Sequence, residues 1–196
     1  MKLIASTAFG IESCVSFELK KLGAQEVEAR NGRIDIKGDF ETIAKANMHL
    51  RCAERVFINM GEFKALTFED LFQGTKAIEW EKLLPEDACF PVSGKSVKSV
   101  LHSVPDCQAI VKKAIVERLK GVYKKEWFEE TGPKYKIEIS ILNDIALLTV
   151  DTSGAGLHKR GYRELAVKAP IKETLACAML DLSRWKPDRP LLDPFC

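Results

Sequence analysis

Gln25-Glu26-Val27-Glu28-Ala29-Arg30-Asn31-Gly32-Arg33-Ile34-Asp35-Ile36-Lys37 is the stretch on which the reading of the fold turns. Asn-Gly flanked by apolar alternation is a strong short-range signal for a hairpin. Ile34 and Ile36 alternate with charged neighbours, so strands are expected at 25–29 and 33–37. Upstream, residues 2–8 read as a strand that Gly10 breaks. Residues 11–22 then carry apolar side chains at 11, 14, 15, 19 and 22, which is helical spacing, and Gly23 is a natural stop. Downstream, 40–50 reads as a helix and Arg55–Phe63 as a further strand.

The order βαββαβ in about sixty residues is the split-βαβ, ferredoxin-like arrangement, a scaffold that says nothing by itself about chemistry. A second unit begins at Thr67, a good N-cap with Asp70 at the third helical position. Its helix should run to about Ile78, with a shorter one over Glu79–Leu84 closed by Pro85. Cys89–Val92 reads as a short strand ending in a Ser93-Gly94-Lys95-Ser96 turn. Pro105-Asp106 opens a helix from Cys107 to about Lys124, with Ile110, Val111, Ala114, Ile115, Leu119 and Val122 on one face. Residues 135–142 and 145–151 form a hairpin about Asn143-Asp144. Gly154-Ala155-Gly156 reads as a flexible joint, and Pro170 as the start of an amphipathic helix over Ile171–Trp185. Leu191-Leu192-Asp193-Pro194 reads as a buried strand entering a loop. The fold class expected is α+β.

The formal charge of +2 hides a block pattern. Residues 1–85 sum to −1, residues 93–125 to +6, residues 126–156 to −4 and residues 157–172 to +4. Basic segments of this size suit a polyanion, and nucleic acid is the abundant one in cytosol. A hydrophobic content of 46% is too high for a disordered chain. No apolar run approaches the roughly 18 residues of a membrane span, and the N-terminal apolar patch is too short for a signal peptide. A cytoplasmic protein is expected. The six cysteines show no CxxC pair and no histidine at ligand spacing, so reduced thiols are expected and no metal.

Ser93-Gly94-Lys95-Ser96 is not a P-loop, because Cys89 stands where the first glycine is needed. Lys112 and Lys113 should lie on a solvent face. His158-Lys159-Arg160-Gly161-Tyr162-Arg163 groups cations with an aromatic: arginine suits phosphate forks and tyrosine can stack on a base. The alternative is an interdomain brace, with Arg160 and Arg163 pairing acidic groups of a domain absent from this chain. Trp80, Trp127 and Trp185 are expected in the core or at domain contacts.

Three segments together resemble the bacterial THUMP-domain RNA methyltransferases of the UPF0020 group, the large-subunit rRNA guanine-N2 methyltransferase family. They are Val92–Ser99 with Leu101-His102-Ser103, Gln108 and Val111–Ile115; Asp151–Arg163 with Ala169–Ala176; and Leu192-Asp193-Pro194-Phe195-Cys196. The resemblance implies a ferredoxin-like domain over 1–65 and a THUMP RNA-binding domain over 66–156. Residues 157–196 would be a linker and the first helix of a truncated Rossmann-like methyltransferase domain.

It implies RNA contacts from Lys95, Lys98, His102, Lys112, Lys113, Lys159, Arg160, Tyr162 and Arg163, with structured RNA, and rRNA in particular, as partner. S-adenosylmethionine is the family's cofactor, and Asp193 would start its loop. The glycine-rich turn that lets backbone approach the cofactor is absent here, as is the family's Asn/Asp-Pro-Pro-Tyr/Phe segment. This chain alone is therefore expected to be inactive and not to bind the cofactor. The alternatives are a stand-alone RNA-binding or adaptor module and an N6-adenine-specific DNA methylase.

Overall fold

Strands β2 (Gln25–Arg30) and β3 (Arg33–Lys37) pair antiparallel about Asn31-Gly32, with Arg30 opposite Arg33. Gly32 takes φ +72°, and the Phe9 ring lies 3.2 Å from where a Cβ would stand, so both conformation and space call for glycine. In the computed structural model, which describes residues 1–161, 163 and 170–194, the chain divides into two units. One is Met1–Phe57 with Thr152–Cys196, and the other is Ile58–Asp151.

In the first unit, β1 (Lys2–Ser6) lies between β3, antiparallel to it, and β4 (Arg55–Lys64). Helices α1 (Glu12–Lys21) and α2 (Phe40–His49) complete the ferredoxin-like order read from the sequence. Helix α1 buries Cys14, Val15 and Leu19, and Gly23 follows it at φ +79°. A reciprocal cap between Asp39 and Thr42 opens α2. Leu3, Ile4, Ala5, Ile34, Ile36, Ile43, Ala46 and Val56 join the α1 residues in the core. Helix α5 (Glu173–Leu182) also belongs to this unit. It starts at Glu173 rather than at Pro170, and buries only Thr174 and Ala178.

In the second unit, β7 (Ile145–Asp151) lies between β4 and β6 (Lys136–Leu142), and β5 (Val92–Val97) pairs parallel with β6. A parallel pair needs a crossover. Here it is α4 (Val104–Tyr123), whose Cys107, Val111, Ala114, Ile115 and Leu119 are buried, whereas Val122 is exposed. Helix α3 (Phe68–Ala77) opens on the Thr67–Asp70 capping box and packs on α4. A single 3₁₀ turn, Trp80–Lys82, follows it. Asn143 and Asp144 both take positive φ, as a two-residue hairpin requires.

Ser93-Gly94-Lys95-Ser96 is not a turn. It is the middle of β5, in register with Glu138–Ile141. Gly94 is there because a Cβ would stand 2.9 Å from Ile139 Cγ2 and 3.3 Å from Gln108 Cγ, so glycine marks a close approach and not a break in the strand. Trp80 is fully buried and donates its indole N–H to the Thr75 carbonyl, whereas Trp127 is 80% exposed, against expectation.

Candidate nucleic-acid interface

The strand position of Lys95 puts it on the exposed side of β5, where its ammonium reaches Glu138 on β6 at 2.8 Å. Lys98 follows at φ +49°, exposed in the bend after β5. His102 is exposed, with Nδ1 3.0 Å from the Val100 carbonyl oxygen. Lys113 is exposed on α4. Lys112 is not on the solvent face. Its ammonium lies 4.0 Å from the centre of the buried Phe90 ring, donates to the Phe90 carbonyl at 3.2 Å and meets Glu130 at 2.5 Å.

The charge block of 93–125 is largely neutralised by folding. Arg118 forks onto Glu81, and that hydrogen bond holds the Glu81 carboxyl below its ordinary value. Lys120 lies 3.7 Å from Glu117 and 3.4 Å from Glu126, and Lys125 pairs with Glu86. With Lys95 and Lys112 also paired, Lys98, Lys113 and Lys124 are the members of the block that have no carboxylate partner among the described residues. The acidic stretches that look separate along the chain are the counter-charges.

In the first unit, the Gly154-Ala155-Gly156 segment is tied down and is not a free joint. Thr152 N–H donates to the Val56 carbonyl, Val56 N–H to Ser153 Oγ and Leu157 N–H to the Glu54 carbonyl. Asn47 is the hub of this attachment. Its side chain donates to the Ile43 carbonyl and to Thr152 Oγ1, accepts from Ser153 Oγ, and its carbonyl accepts from Arg160 at 2.6 Å. Arg163 pairs with Glu173 at 3.1 Å and donates to the Ile171 carbonyl. Both arginines thus act as braces within the unit. Lys159 is exposed, and Tyr162 lies outside the described residues. Nothing local in the sequence marks Asn47 itself.

Glu18, Cys52 and Asp181 bring one potential metal-ligand atom each within 4.8 Å of one another. Arg51 already supplies positive charge to both carboxylates, and burial pushes the Cys52 thiol well above its ordinary value, which disfavours the thiolate a metal needs. Asp193 is exposed, in a stretch without helix or strand. A recess of about 130 Å³ beside Leu19, Asp39 and Lys45 is smaller than the roughly 300 Å³ at which small-molecule sites begin.

A family model of the RlmL ferredoxin-like domain matches residues 2–57, one of the THUMP domain matches 65–151, and one of the UPF0020 RMKL-like methyltransferase domain matches 160–196. The chain belongs to the THUMP-bearing UPF0020 family. Among its relatives in that family, the putative RNA methyltransferase YpsC of Bacillus subtilis (strain 168) is 55% identical over 99% of this chain and 51% of its own length. A crystal structure described as a predicted N6-adenine-specific DNA methylase from Listeria monocytogenes str. 4b F2365 is 55% identical, with a TM-score of 0.94 over 100% of this chain and 51% of that one. SMU.472, a putative methyltransferase complexed with SAH, is 49% identical, with a TM-score of 0.91 over 96% of this chain and 50% of that one. The chain therefore spans about half the length of the relatives it matches.

Proposed function

We propose that this chain is the RNA-gripping portion of an S-adenosylmethionine-dependent RNA methyltransferase, acting in the cytoplasm on structured RNA. Within that class, the resemblance points to the N2 amine of a guanine in large-subunit rRNA. The observation that carries the reading is the THUMP-matched segment 65–151 with Lys98, Lys113 and Lys124 left uncompensated. In this reading residues 1–65 are scaffold, 66–156 the RNA grip and 157–196 the entry to the methyltransferase domain. Lys98, His102, Lys113 and Lys159 meet phosphate directly, and Lys95 does so by leaving Glu138. Such contacts fix register more than they read sequence, leaving the choice of base to the catalytic part, which must extrude it. Tyr162 is assigned to stacking on a base.

Asp193, which would begin the cofactor's loop, is exposed in a stretch without helix or strand, and no step is assigned to this chain through S-adenosylmethionine. Calorimetry of the chain with S-adenosylmethionine should show no binding. A micromolar Kd would place a cofactor site within these 196 residues.

Fluorescence anisotropy with a structured rRNA segment, titrated with salt, tests the RNA grip. Four to five phosphate contacts at about 0.7 each should give a log–log slope of about −3 to −3.5. A flat slope sinks the reading. Tighter binding to duplex DNA would favour the adenine DNA methylase alternative.

A further inference from the structure

Phe68, Phe72 and Lys76 stand at i, i+4 and i+8 on α3 and so share one ridge, beside the Leu71 and Thr75 positions that face the core. Phe68 is 41% exposed. Lys76 Nζ lies 5.8 Å from the centre of the Phe72 ring, and Lys113 Nζ, reaching over from α4, lies 5.9 Å from it. Neither ammonium has a carboxylate partner among the described residues. The acidic neighbours on α3 are engaged elsewhere: Glu69 accepts from Gln73 at 2.6 Å, and Asp70 caps the helix at Leu66 and Thr67.

The contrast with Lys112 and Phe90 gives this cluster its meaning. That pair has the same composition, but Phe90 is 1% exposed and the ammonium is committed to Glu130, so it is a structural contact. At Phe72 the two ammoniums sit near the outer limit of a cation–π contact, with no counter-ion. A ligand that suits them has a flat π face with an anion on either side. An unpaired nucleotide has that shape, because its base lies between two backbone phosphates.

We propose that Phe68, Phe72, Lys76 and Lys113 form a subsite that stacks an unpaired RNA base and holds its flanking phosphates. The subsite rests on the RNA-binding reading above and specifies it: the second unit grips a single-stranded element of the substrate as well as duplex backbone. Neither charge nor aromatic spacing marks it in the sequence, because Lys113 belongs to a different helix from the other three residues.

The test uses the full 196-residue chain and a single-stranded oligoribonucleotide carrying 2-aminopurine. Stacking should quench the probe on the wild-type chain. Phe68→Ala should weaken binding on the order of tenfold, and Phe72→Leu, which keeps apolar volume, should abolish the quench. Lys76→Gln with Lys113→Gln should flatten the salt slope by about 1.4. These four side chains are not among the fully buried ones, and circular dichroism of each variant checks the fold. If the wild-type chain binds structured RNA while all these variants keep its affinity, slope and quench, the subsite is wrong and the RNA reading stands. If the wild-type chain binds no RNA at all, both fall.

Discussion

Arg51 and Asp181, separated by 130 residues, are joined at two points: Nη2 of the arginine lies 3.2 Å from each carboxylate oxygen. The Nε–H of the same guanidinium donates to Glu18 on α1 at 3.1 Å. Glu18 is buried and also accepts from the backbone N–H groups of Arg51 and Cys52. A fork of five donors suits this bridge and a lysine does not. The contact therefore ties α5 to α1 through a residue that belongs to neither helix.

Arg51→Ala should destabilise the first unit by about 1–2 kcal/mol, a range reduced for the half-exposed arginine side chain. Arg51→Lys should recover only part of this, since one ammonium cannot serve both carboxylates. Urea unfolding reads the loss. Amide exchange in α5 should rise in both variants, and unchanged exchange would show that the helix is held by Thr174 and Ala178 alone.

Lys112→Ala should lower stability by about 1–2 kcal/mol while leaving the salt slope of RNA binding where it was, because the side chain is committed to Phe90 and Glu130. Lys113→Ala should do the reverse, flattening the slope by about 0.7 at constant stability. Thermal melts alongside salt titrations separate the two. A slope change in Lys112→Ala would return that lysine to the interface.

Gly74→Ala adds a good helix former inside α3, which in an open helix stabilises by about 1 kcal/mol. Here the new Cβ would stand 2.3 Å from the Phe63 ring. Overpacking costs about 1–3 kcal/mol, so the variant should be destabilised on balance. A raised midpoint in denaturant would mean that the ring moves aside freely.

Glu12 accepts the Gly32 N–H at 2.9 Å and the Gly10 N–H at 2.8 Å, and the Gly32 bond above all holds its carboxyl below the ordinary value of about 4.5. A depressed folded value means stability that is present above the unfolded pKa and lost as pH falls through the folded one. Glu12→Gln should be less stable than wild type at pH 7, with the gap closing in acid below about pH 4. A gap independent of pH would assign the effect to shape rather than charge.

What the sequence discloses here is periodicity and capping. The Thr67–Asp70 box, the Asn31-Gly32 and Asn143-Asp144 hairpins and the α4 core face as far as Leu119 all depend on neighbours within a few residues and form as read, with Val122 the exception. The misreadings share a different cause. Gly94 looks like a turn because the side chains that crowd it, Ile139 and Gln108, are distant in sequence. Lys112 looks solvated because Glu130 comes 18 residues later. Trp127 looks like core, yet it is 80% exposed. For the interface, the sequence marks where cations are dense, but which of them stay uncompensated is decided only when the acidic stretches fold back.

The hydrogen bond from Thr152 N–H to the Val56 carbonyl, 3.0 Å long, has a consequence for synthesis. Val56 and Thr152 flank the span that makes up the second unit, so the first unit closes only when chain on both sides of that span is present. On the ribosome, β1, α1, β2, β3 and α2 emerge early, but Asn47, Glu54 and Val56 must wait for Ile58–Asp151 to be made before their partners exist. At roughly 5–20 residues per second that delay is about five to twenty seconds, during which the inserted unit can fold ahead of the one that begins the chain.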